Sequence, residues 1–164
     1  MRRALERPEQ PSEPTWEDAL RALIAQADAA GVLVMCSGVV LNNNQRVLDP
    51  DEFRGFALVD GVAPLIFVNG ADTKSAQMFT VAHELAHIWA GESALSDVDA
   101  GGVDANAVER WCNQVAAEFL VPLASFRAVY KPRGAVEGEL RRLARWFKVS
   151  TLVVLRRMLD AGGL

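Results

Sequence analysis

The stretch His83-Glu84-Leu85-Ala86-His87 constrains this chain more than any other. A helix advances about 100° per residue, so residues four apart lie one turn up on the same face, with Glu84 beside the first imidazole. Two histidines so spaced around a glutamate offer a metal two ligands and a reaction a base. The context is helical. Met78, Phe79, Ala82, Leu85, Ala86 and Trp89 recur at three- and four-residue steps between Ser75 and Ala90, Asp72 or Thr73 stands where a cap belongs, and Gly91 marks the end. The competing reading is a buried helix whose histidines only hydrogen-bond; it leaves unexplained why the only two histidines of 164 residues fall in this one pattern.

A chain of this length, with 51% of its residues apolar, can bury one core, so one compact unit is expected. The longest apolar run, Val62 to Val68, is far short of a membrane span, and no signal peptide is legible behind Met1. Cys36 and Cys112 make no disulfide framework, which suits a reducing cytoplasm. The net charge of −4 is uneven: residues 1–126 carry 8 basic and 18 acidic side chains, whereas nine Lys/Arg fall between Arg127 and Arg157. A basic end on an acidic body can meet nucleic acid or an acidic partner. The preferred expectation is a solvated helix face docked on its own domain, with no direct nucleic-acid contact.

Residues 1–14, rich in proline and glutamate, read as a flexible tail or linker. Thr15 with Asp18 opens an amphipathic helix that stops at Gly31. Val32 to Cys36 and Val39 to Leu41 are strand-like, followed by turn chemistry at Asn42-Asn43-Asn44. Gly55 to Val59 and Val62 to Val68 read as a hairpin about a two-residue Asp60-Gly61 turn, with a free edge near Pro64 to Asn69 because Pro64 cannot donate. After a patternless polar loop, a second helix runs from about Val103 to Leu120 and ends before Pro122. A final pair spans Val136 to Phe147 and Ser150 to Asp160. Leu140, Leu143, Ala144 and Phe147 form one apolar stripe, and Leu152, Leu155 and Leu159 the other.

A catalytic zinc site generally has three protein ligands, and the second helix offers Glu109, Cys112 or Glu118 as the third. Nine residues put Glu118 about 180° from Glu109, so only one carboxylate can face the metal. Glu109 shares its azimuth with Asn113, Ala116 and Leu120, a face expected to look inward, and Asn113 is placed to accept a histidine N–H and fix its tautomer. From spacing alone Glu109 remains either a ligand or a solvated charge. Cys112 reads as a small packing residue or, alternatively, a redox-active or metal-competing thiol.

His83-Glu84-Leu85-Ala86-His87, followed by the run Glu109-Arg110-Trp111-Cys112-Asn113 through Phe119-Leu120-Val121-Pro122, resembles the ImmA/IrrE metallopeptidase family over about residues 55–160. The resemblance implies an α+β, zincin-like core with a small twisted sheet, the active-site helix, a second helix giving the glutamate ligand, and a C-terminal helix-turn-helix-like pair. The corresponding divisions are a tail over 1–14, a peptidase core over 15–130 and a helical pair over 131–164. It also implies that His83, His87 and Glu109 hold one zinc ion, with manganese or another divalent metal as an alternative, and that Glu84 is the catalytic base. The implied partner is an intracellular protein substrate, a helix-turn-helix repressor or antitoxin-like protein. Tyr130 and Arg127 are candidate transition-state donors, against a structural reading of each. The rival function is a metal-bearing regulatory module that binds such a partner, or DNA, without cutting it.

Overall fold

The structure, a computed structural model, describes residues 1, 5, 13–91, 103–131 and 135–162, and within them the fold is α+β, with six helices and a small sheet. The polar loop after Gly91 and most of the expected tail lie outside the described residues. Helix α1 (Trp16–Ala29) is capped by the Thr15 hydroxyl, which accepts from Asp18 N at 3.1 Å. Strands β1 (Leu33–Ser37), β2 (Val39–Val40), β3 (Asn43–Val47), β4 (Gly55–Leu58) and β5 (Leu65–Asn69) follow. Then come α2 (Lys74–Ala90), α3 (Val103–Leu120), α4 (Leu123–Val129), α5 (Val136–Phe147) and α6 (Thr151–Asp160). The stretch read as a tail has one anchor, because Leu5 is buried in the core with Met1 packed against it.

The main sheet has the order β1-β5-β4, with β1 parallel and β4 antiparallel to β5. The expected free edge is therefore misplaced. Pro64 precedes the strand, its carbonyl accepts from Leu33 N at 2.9 Å, and β5 is paired on both sides. The β4–β5 hairpin forms without the two-residue turn. Its loop runs from Val59 to Pro64, where the Asp60 carboxylate accepts from Val62 N and Ala63 N at 2.8 Å each, and those two bonds hold that carboxyl below its ordinary pKa. The tight turn lies instead between β2 and β3. Val40 pairs with Asn43 across Leu41 and Asn42, both at positive φ (48° and 59°), so Asn43 begins a strand.

One hydrophobic cluster joins α1, β5 and α2 to α3, α4 and the terminal pair, with Leu23, Ile66, Met78, Leu85, Phe119, Phe126, Phe147 and Met158 all but fully buried. Glu139 ties α5 to the end of α4: its carboxylate accepts from Lys131 N at 2.8 Å and from Arg142, which also donates to Val129 O at 2.7 Å. Helix α4, seven residues long, has no legible pattern in the sequence. It follows Pro122, and its first amide, Leu123 N, donates to the Glu118 carboxylate at 3.3 Å. Among the described residues no helix is long and apolar enough to cross a membrane.

Candidate metal centre and its cleft

Helix α2 starts where the loop after β5 is pinned by buried amides. Asn69 donates to Phe53 O and accepts from Ala71 N, both at 2.9 Å, while Gln77 donates to Gly70 O at 3.0 Å and to Asp72 O at 2.6 Å. Thr73, not Asp72, caps α2, accepting from Ala76 N at 3.3 Å, and Gly91 ends it in the left-handed region at φ 76°. Strand β4 runs close against this helix. A Cβ on Gly55 would lie 2.5 Å from the Thr80 methyl and 2.7 Å from Phe67 O, so glycine permits the approach.

Helices α2 and α3 pack together and bring three side chains to one point. His83 Nε2 and His87 Nε2 are 3.1 Å apart, and the Glu109 carboxylate places Oε2 3.2 Å from the first and Oε1 3.0 Å from the second. All the candidate ligand atoms lie within 4.8 Å of one another. Burial pushes the His83 pKa down, against the opposing pull of Glu109, which favours the neutral imidazole that ligates metals. Two imidazoles and a carboxylate are the donor set of a zinc site with an open position. The residues present therefore fit a divalent metal.

Glu84 sits beside this cluster, buried, with Oε2 free of any hydrogen-bond partner among the described residues. Burial first, and the neighbouring Glu109 charge second, raise its pKa to about 7. An unpartnered buried carboxyl is costly for the fold, and its place at a cleft suits proton transfer. That cleft is about 830 Å³ and is walled by α2, α3, α6 and the start of β4.

The two glutamates of α3 separate as their phase requires. Glu118 turns away from the histidines and accepts from Arg157 Nη2 at 2.6 Å. The face carrying Glu109 does not look inward, however. Glu109 and Asn113 are both exposed, because this side of α3 borders the open cleft and the buried side carries Cys112, Ala116 and Leu120. Cys112 is fully buried and outside the ligand cluster. Asn113 reaches the His83 ring, yet His83 Nδ1 is buried with no partner among the described residues, so Asn113 does not satisfy the nitrogen that would fix the tautomer. Tyr130 and Arg127 do not reach the cleft: they belong to α4 and its end, where Tyr130 stacks on Phe126 at 5.3 Å. Sequence reasoning assigned no role to Arg54, Arg110 and Arg156, which do line the cleft.

Comparison with curated proteins finds no match. Residues 27–159 match the Peptidase M78 family, described as the IrrE N-terminal-like domain, and that match covers α2, α3 and all the cluster residues; the chain belongs to this peptidase family.

Proposed function

We propose that this protein is a zinc-dependent endopeptidase that cleaves an intracellular protein, a helix-turn-helix repressor or antitoxin-like partner. The observation that carries the proposal is the buried, unpartnered Glu84 carboxyl beside the convergent His83, His87 and Glu109 donors. His83, His87 and Glu109 would hold the metal. When bound, zinc supplies Lewis acidity for polarising a carbonyl and acidifying a water. Glu84 accepts a proton from the attacking water as the C–O bond forms and delivers it to the leaving amine as the C–N bond breaks. A carboxyl whose pKa lies near neutrality suits both transfers.

The substrate segment needs main-chain partners. The open edge of the sheet on this side is β4, since β5 is central, and Arg54 and Gly55 at its start line the cleft. An extended segment added to that edge would lie along the donors, held by backbone hydrogen bonds. Neither Cys36 nor Cys112 is in a disulfide, as a reducing compartment favours.

The test pairs the metal-loaded protein, and separately its Glu84→Gln variant, with the product of its neighbouring gene. Cleavage by the wild type alone is the expected result. Binding by both without cleavage by either would establish the regulatory module instead.

A further inference from the structure

The apolar stripe Leu152, Leu155 and Leu159 of α6 lines the cleft. The helix is apolar on two sides. Val153, Val154 and Met158 take the core side, leaving Leu152 73% and Leu159 54% exposed. These two exposed leucines, with half-buried Leu155 on the same helix face, form a wall beside the candidate ligand cluster that has no partner among the described residues. The charges around it are equally uneven. Glu109 is committed to the histidines, and Arg156 Nε meets Asp160 Oδ1 at 3.3 Å. Arg54 and Arg110, both exposed, have no ion-pair partner among the described residues. On a chain of net charge −4, the uncommitted charges at the cleft's rim are thus, among the described residues, two guanidiniums.

We propose that the cleft selects a peptide segment carrying both apolar and acidic side chains, the α6 leucines taking the apolar groups and Arg54 and Arg110 the carboxylates. The inference rests on reading this cleft as the substrate site, though not on hydrolysis. Guanidiniums pair with carboxylates in a directional, bidentate way, and at an exposed rim they add selectivity and on-rate more than affinity. Phosphates would satisfy the same arginines, but a leucine wall offers a nucleic-acid backbone nothing, so an acidic peptide is the better occupant.

The experiment measures binding of dye-labelled peptides of alternating leucine and glutamate, leucine and glutamine, or leucine and lysine to the zinc-loaded Glu84→Gln variant at low salt. The glutamate peptide should bind roughly tenfold more tightly than the lysine peptide, with glutamine between and the difference shrinking as salt rises. The double reversal Arg54→Glu with Arg110→Glu should invert that order. Leu152→Ser with Leu159→Ser, at two exposed positions, should weaken the glutamate and glutamine peptides by the same factor. Equal affinities, an order unchanged by the reversal, no binding of any peptide, or displacement by duplex DNA at equal charge would each overturn the proposal. Retained binding beside absent hydrolysis in the wild type would count against the peptidase reading alone.

Discussion

Glu109 and Glu118 stand on one helix, nine residues apart, with side chains 51% and 54% exposed, yet they serve different partners. One carboxylate reaches two imidazoles. The other accepts from buried Arg157 on α6 and from the first amide of α4, fastening the C-terminal helices to the back of the ligand helix. Exposure does not distinguish them. What distinguishes them is what the opposite helix presents: α2 offers two converging imidazole nitrogens, and α6 offers a guanidinium already paired with Asp160 at 3.1 Å. The Glu109 end is therefore read as chemical and the Glu118 end as structural.

Substitutions can break that division, beginning where the effect is largest. Glu84→Gln leaves all three donors in place, so the variant should keep its metal while losing about 10²–10⁴-fold in cleavage rate, the range for a general base; full activity would remove Glu84 from the mechanism. Glu109→Ala takes one of three ligands, and zinc affinity should fall by more than the roughly 10–100-fold that loss of an outer hydrogen-bond partner brings, as read by chelator competition. Glu118→Ala should leave zinc affinity alone and destabilise the fold by about 1–3 kcal/mol in denaturant titration, because Arg157 stays buried with one partner fewer. A lost metal with an unchanged midpoint would reverse the two roles.

The smallest effect is expected at Glu139, a purely structural carboxylate. Hydrogen bonding from Arg142, then from Lys131 N, holds its pKa below the ordinary glutamate value. A depressed folded pKa contributes stability that is present above the unfolded value, near 4.3, and is lost as pH falls through the folded one. Glu139→Gln should therefore lower stability by about 1–2 kcal/mol at pH 7, discounted because Arg142 is partly exposed, and the gap from wild type should close in acid. A gap that persists after acidification would mean that packing, and not charge, carries this contact.

Local chemistry was readable from the sequence, and tertiary pairing was not. Helix α2 begins one residue before the expected Ser75 and ends at the expected Ala90 because Thr73 and Gly91 are caps whose geometry depends on near neighbours. Helical phase separated Glu109 from Glu118 for the same reason. The β5 edge was misread because strand order is set by which strand finds which partner, and Pro64 says nothing about that once it lies outside the ladder. Asp60-Gly61 carries a two-residue turn signal, yet Asp60 spends its carboxylate on a longer loop, while Leu41-Asn42 adopts the tight turn against leucine's preference. Periodicity could not tell that Leu152, Leu155 and Leu159 face a cleft, because a stripe of leucines looks the same whether a core or a ligand covers it.

On the proposed reading, His83, His87 and Glu109 form one metal site and Glu118 has no part in it. Zinc content per chain, measured by elemental analysis of purified wild type, Glu109→Ala and Glu118→Ala after the same dialysis, tests this most directly. The prediction is about one zinc in wild type and in Glu118→Ala, and far less in Glu109→Ala. Equal zinc in the two variants would contradict it.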